Sequence, residues 1–281
     1  MITFAHLFDL YYERHAKTRT RRPANAKYFY NVHGERWADR EISTITRFEV
    51  QAWIDEVGTK STTAANRAVN MLSAIINWGI KRGHIPDYNP CRGVERFNER
   101  ARERFLLPAE MQRFRHVLDL QPALIRDFFY IGLLTGARRG NVLAMRWDEI
   151  DFDLAIWTFN QKNGDTHTVA LSTGAIAILF RRFQTRDSDV WVFPSPKLAG
   201  AHLADPKRAW ARIIKKAGID DLHIHDLRRT LGSYLAIAGA SPYLIGKALG
   251  HRDQRSTAVY ARLDLKPVRE AIETLQNTWL S

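Results

Sequence analysis

Apolar positions three and four residues apart dominate the first 90 residues of the chain. Leu7, Phe8 and Tyr11 make such a stripe behind Thr3, whose hydroxyl can accept a first-turn N–H, so a helix is predicted there. Thr46-Arg47-Phe48-Glu49 has the spacing of a capping box and opens a helix through Trp53 and Ile54 that Gly58 ends. A longer helix is predicted over 61–81, with Val69, Leu72, Ile76 and Ile80 on one stripe and Gly83 as its stop. This part of the chain reads as all-helical.

The pattern then breaks. Pro86, Asn89-Pro90 and Gly93 interrupt helix and strand alike, and residues 92–104 alternate arginine with glutamate and few apolar residues. We read 91–104 as a basic connector between a helical domain at 1–90 and a second domain at 105–281. Its arginines suit a phosphate backbone, while Glu95, Glu99 and Glu103 equally suit a self-paired, solvated stretch.

The second domain opens with Pro108 at a good first helical position, followed by Glu110. The apolar run 124–134 is interrupted by Thr135-Gly136, after which come Arg138, Arg139 and a helix carrying Val142, Leu143 and Met145. Alternation replaces helical spacing at Ile156-Trp157-Thr158-Phe159 and Thr166-His167-Thr168-Val169. The Asn163-Gly164 between them signals a hairpin, with Lys162 beside its turn. Lys207, Arg208, Arg212, Lys215 and Lys216 decorate a basic amphipathic helix around Trp210 and Ile213-Ile214. Towards the end, Gly250 breaks an apolar segment before His251, Ser256 is positioned to cap a short helix carrying Tyr260, and Val268, Ile272 and Leu275 predict an amphipathic helix over 266–280. The fold class is mainly α with a small antiparallel β-sheet.

Composition narrows the function. The 281 residues allow two domains with sizeable cores, and 42 Lys and Arg against 30 Asp and Glu give a formal charge of +12. Nucleic acid is the first partner this suggests. Arg14, Lys17, Arg19, Arg21 and Arg22 form a basic run suited to phosphates or to a solvated face. A single cysteine, Cys91, excludes an intramolecular disulfide and a thiolate zinc cluster, which fits a reducing compartment. With no signal-peptide pattern and no run long enough to span a membrane, a soluble, cytoplasmic protein without a membrane partner is expected.

The stretch 225–260 concentrates the candidate chemistry. His225 and Arg228 are three apart, so on a helix they share a face and can hold one anion. An arginine at 138, where an apolar helix pair is broken, is either a surface residue on a turn or a partner for an anionic ligand. Arg229 points to another helix face and reads as a structural or DNA-backbone residue; His223 stays outside the site.

Together the pieces resemble the tyrosine recombinases of the phage integrase family. The resemblance is carried by Thr135-Gly136-Ala137-Arg138, Lys162 in the hairpin, His225-Asp226-Leu227-Arg228, Leu249-Gly250-His251, and Tyr260 nine positions further on. The helical module and the Asn89-Pro90 connector are similar to that family's SAM-like core-binding domain and interdomain linker. The resemblance implies a site-specific DNA recombinase that integrates or excises a mobile element, such as a viral genome, through a 3′-phosphotyrosyl intermediate. Tyr260 would attack the phosphate, Arg138 and Arg228 would neutralise the charge that develops, and His225 would accept the phenolic proton. His251 would bond a non-bridging oxygen and Lys162 would protonate the leaving 5′-oxygen. No metal or cofactor is required, because arginines do the work of divalent cations.

The implied partners are double-stranded DNA carrying specific sites and three further copies of the chain in a cyclic tetramer, with a monomer expected off DNA and the 266–280 helix docking between protomers. Host DNA-bending proteins and directionality factors are further partners that the resemblance allows. Two positions depart from the family pattern. Asn141 stands where an acidic residue is usual, and Ala170 where proline is common. Many relatives also carry an arm-site-binding domain ahead of the core-binding helices, whereas this chain starts at those helices. The alternative readings are a type IB topoisomerase-like relaxing enzyme and a non-catalytic DNA-binding accessory or regulatory protein.

Overall fold

The computed structural model describes residues 2–99, 102–160, 164–250, 255–261 and 263. The chain divides into two units, Met1–Arg100 and Ala101–Ser281.

Unit one contains helices α1 (Phe4–Tyr11), α2 (Lys17–Arg19), α3 (Pro23–Phe29), α4 (Arg47–Gly58) and α5 (Thr62–Lys81), with a π-helical turn, Tyr12–Ala16, joining the first two. The caps predicted at Thr3 and at Thr46/Glu49 form, and Ser61 adds one that the pattern did not name. Thr3 accepts the His6 N–H, Thr46 and Glu49 cap each other's backbone, and Ser61 accepts the Ala64 N–H. Leu7, Val69, Leu72 and Ile76 are fully buried in one core, whereas Ile80 only borders it. The basic run after α1 is exposed, and Lys17 pairs with Glu13 at 2.6 Å. Residues 95–99 lie against α4 and α5: Gln51 accepts the Glu95 N–H, and the Asn66 amide donates to the Phe97 carbonyl and to Glu99.

Unit two contains α6 (Pro108–Asp119), α7 (Ala123–Thr135), α8 (Arg139–Leu143), α9 (Thr173–Gln184), α10 (Lys207–Ala217), α11 (Asp226–Ile237), α12 (Pro242–Leu249) and α13 (Arg255–Ala261). A three-stranded antiparallel sheet joins β1 (Ile150–Asp151), β2 (Ile156–Asn160) and β3 (Thr166–Ala170) in that order. Trp157 pairs with Val169 and Phe159 with His167, so the alternation places Trp157, Phe159 and Val169 in the core. That core is rich in rings: Phe129 lies 5.1 Å from Trp210, and Phe128 lies 5.5 Å from Phe193. α7 is tied to α9 by Asp127, a buried carboxylate that accepts from Arg181 and Arg182.

Two local expectations are corrected. α8 stops at Leu143, so Met145 lies beyond it, and α13 begins at Arg255, which makes Ser256 its second residue rather than its cap. The predicted helix over 266–280 lies outside the described residues. No helix among the described residues is long and apolar enough to cross a membrane.

Candidate active site

α7 carries the first part of the site. It ends at Gly136 in the left-handed region (φ 60°), and a β-carbon there would approach Leu249 Cδ2 to 2.6 Å and Leu231 Cδ2 to 2.9 Å. Glycine is thus required both by the turn and by two helices packed onto it. Two residues later the chain is extended at Arg138, the N-cap of α8, with its side chain exposed.

α11 brings the second part. His225 is its N-cap and stays exposed, whereas Asp226, Leu227 and Arg228 in the first turn are buried. The Arg228 guanidinium donates from Nη1 to the Gly136 carbonyl at 2.8 Å, linking α11 to the turn before Arg138. Its Nη2 is buried with no hydrogen-bond partner among the described residues. Arg229 instead pairs with Asp226 at 2.6 Å, a structural contact.

The third part is α13, which packs on α11 and α12. Tyr260 is buried in a small cluster with Ala236, Ile245 and Leu249. Its ring rests on Gly232, one turn along α11 from Arg228, where a β-carbon would come within 2.6 Å of Cζ. A fourth element enters from the sheet. The His167 imidazole on β3 lies against Gly250, the left-handed cap of α12 (φ 64°), 2.6 Å from where a β-carbon would sit.

The electrostatics follow from this convergence. Burial, then the charge of Arg138, lower the Arg228 pKa to about 10, against an opposing contribution from Tyr260. Burial raises the Tyr260 phenol above its ordinary value, with Arg228 and Arg229 pulling the other way. Desolvation by the surrounding protein, followed by Arg229 and Arg228, lowers the His225 pKa although the residue is exposed, and Asp226 opposes them. His167 is lowered by burial, then by Arg228 and Arg138. Arg138, Arg228, His225, His167 and Tyr260 therefore lie in one electrostatic neighbourhood.

Of the six residues predicted from sequence, Arg138, His225, Arg228 and Tyr260 are brought together here. Lys162 and His251 lie outside the described residues. His167, Gly232 and Asp226 were not singled out in advance. Strand alternation marks His167 only as sharing the core face with Val169, and a glycine within a helical pattern is the one signal for Gly232. Beside His225 opens a cleft of about 760 Å³ bordered by Arg139, Lys207 and Lys215, so the basic helix α10 adjoins the site. Among the described residues no group of three or more His, Cys, Asp or Glu side chains is placed to hold a metal ion.

The profile of the phage integrase family matches residues 104–266. The prophage integrase IntF of Escherichia coli strain K12 is 24% identical over 253 residues, covering 85% of this chain and 54% of the relative. The integrase of Salmonella phage P22 is 27% identical over 174 residues, covering 58% of this chain and 44% of the relative. The chain thus spans about half the length of these relatives. Among solved structures, the Tn1549 transposon integrase in complex with transposon right end DNA superposes with a TM-score of 0.77 at 16% identity, over 98% of this chain and 99% of that one. A lambda integrase tetramer bound to a Holliday junction gives 0.75 at 18% identity, over 92% and 77% of the two chains. The mainly helical architecture with its three-stranded sheet is thus the tyrosine-recombinase fold, and the chain belongs to the phage integrase family.

Proposed function

We propose that this protein is a site-specific DNA recombinase that cuts and rejoins DNA through a covalent link to Tyr260, and so integrates or excises a mobile element. One observation carries the reading: a buried Arg228 guanidinium, whose Nη2 has no hydrogen-bond partner among the described residues, sits one helical turn from the seat of the Tyr260 phenol. An unpaired buried donor is costly, and a phosphate oxygen would satisfy it.

In this reading the Tyr260 oxygen bonds to the scissile phosphorus and the bond to the 5′-oxygen breaks. Because the phenol's pKa is raised above its ordinary value, it is protonated near neutrality and needs a base. His225, whose lowered pKa keeps it neutral, takes that proton. Arg138 and Arg228 hold the extra negative charge of the five-coordinate state. Lys162 gives its proton to the departing 5′-oxygen, and His251 bonds a non-bridging oxygen. The phosphotyrosyl link keeps the energy of the broken bond, so a 5′-hydroxyl of a second strand reseals the DNA without ATP.

Double-stranded DNA is the substrate, and a cyclic tetramer on two duplexes assembles from monomers, with the 266–280 segment docking between protomers. The basic helix α10 beside the His225 cleft supports DNA contact. The test is incubation with nicked suicide duplexes. A recombinase forms a denaturation-resistant adduct on DNA bearing its own site and little on unrelated DNA. Equal trapping on both, with relaxation of supercoils, would point to a topoisomerase, and no adduct on either to a non-catalytic DNA-binding protein.

A further inference from the structure

Asp226 is the most enclosed ionisable group beside the site. It is fully buried at the first position of α11, between His225 and Arg228, and nothing in the proposed chemistry uses it. A carboxylate out of water must be held by several donors. Here Arg229 donates to one oxygen at 2.6 Å and the His223 N–H to the other at 2.8 Å. The remaining donor comes from far along the chain: Arg102, whose Nε lies 3.0 Å from Oδ2, while its Nη1 reaches both oxygens of Asp221 and its Nη2 the Asp221 carbonyl.

The contact belongs to a longer strap. Arg104 pairs with Glu110 at 2.6 Å and donates to the Asp220 carbonyl, and the Leu106 N–H donates to Thr230. Phe105 meets the edge of Tyr234 at 6.3 Å. Residues 102–106 therefore run beside the first turns of α11, holding the turn before it by the Asp220 and Asp221 carbonyls and the Asp221 carboxylate, and the helix itself by the Asp226 carboxylate and the buried Thr230 hydroxyl. Burial raises the Asp226 pKa, but hydrogen bonds from Arg102, the His223 N–H and Arg229 outweigh it and the net shift is downward, so the carboxylate stays ionised.

We propose that Arg102 is a positioning residue of the cleavage reaction: by clamping Asp226 and Asp221 it sets the turn that delivers His225 and the helix that delivers Arg228. This rests on the recombinase reading above. It also assigns Arg102 a role that its place in a basic connector does not suggest, because its guanidinium is turned onto carboxylates rather than left for a phosphate backbone.

The test compares wild type with Arg102→Ala and Arg102→Lys on three readouts. In the DNA-free protein, hydrogen exchange at the His223 amide, which donates to Asp226, rises in Arg102→Ala. Binding to the site duplex keeps its wild-type affinity and salt slope in Arg102→Ala, because no phosphate contact is removed. The single-turnover rate of adduct formation falls roughly 10- to 100-fold, the size expected when a reacting group is displaced by up to about 1 Å. Arg102→Lys restores part of the rate, since one ammonium can meet Asp226 or Asp221 but cannot make the whole fork. A wild-type cleavage rate in Arg102→Ala, an unchanged His223 exchange rate, or a weaker affinity with a salt slope lowered by about one would each overturn the proposal. Failure of the wild-type protein itself to form an adduct would count against the recombinase reading, while the exchange readout still decides whether Arg102 holds the turn.

Discussion

The ring of Tyr260 lies on Gly232, so close that a β-carbon at that position would stand 2.6 Å from Cζ and 2.7 Å from Cε1. In a helix interior a Gly→Ala change ordinarily stabilises by about 1 kcal/mol. Here the methyl must displace the phenol. Gly232→Ala is expected to keep its site affinity and to lose roughly 100-fold in adduct formation, the scale of a misplaced reacting group. Single-turnover cleavage alongside a binding titration checks this, and an undiminished rate would show that the seat has no part in presenting the tyrosine.

Arg228 is poised at the expense of stability. Its folded pKa of about 10 lies below its unfolded value, so the charged form favours the unfolded chain. The penalty is present throughout the neutral range and fades as pH rises through about 10. Arg228→Met should therefore be inactive yet more stable, by about 1–3 kcal/mol, in thermal unfolding at pH 7. Inorganic phosphate or vanadate should raise the midpoint of the wild type and not of the variant. A destabilised Arg228→Met would mean that the bond to the Gly136 carbonyl outweighs the burial of the charge.

His225 titrates below its ordinary 6.5, first because of burial and then because of Arg229 and Arg228. As a base it must be neutral, so kcat/KM for cleavage should rise with pH along a limb centred below 6.5, which reports the free protein. Arg229→Ala removes a nearby positive charge and leaves Asp226 less neutralised. Both changes favour imidazolium, so the limb should move to higher pH. A limb that stays in place, or moves to lower pH, would remove His225 from the role of base.

His167 and Gly250 should be energetically coupled. Gly250→Ala meets two obstacles, a φ of 64° that costs an L-residue about 1–2 kcal/mol and the imidazole 2.6 Å from the new carbon. Only the second is relieved by removing the ring. In a double-mutant cycle, His167→Ala with Gly250→Ala should be less destabilised than the two single changes sum to. Simple additivity in thermal or urea unfolding would show that the ring yields freely.

Much of this was legible in the chain because helix starts are written locally. Thr3, the Thr46/Glu49 pair, Ser61 and Pro108 each act within one turn of the helix they open, and the apolar stripes behind them report which face is covered. The histidine and arginine of α11 and the tyrosine of α13 were legible as residue types in a known order. What periodicity cannot report is the identity of a distant partner. The charge pattern around Arg102 left it open whether that residue meets phosphate, a nearby glutamate or, as found, a carboxylate 124 residues away. Gly232 carries no side chain to signal that a phenol will rest on it, and the two-residue strand β1 is too short to show alternation. α8 ends early for a related reason, since five residues hold too little pattern to fix a boundary.

The central claim is that Tyr260 becomes covalently joined to a 3′-phosphate of cut DNA. The most direct measurement is proteolysis of the trapped adduct followed by mass spectrometry of the nucleotide-bearing peptide, with end-labelling of the released strand. The account predicts that the nucleotide sits on Tyr260, that the other strand end is a free 5′-hydroxyl, and that Tyr260→Phe gives no adduct. A nucleotide on any other residue, a 5′-phosphate linkage, or an adduct that persists in Tyr260→Phe would contradict it.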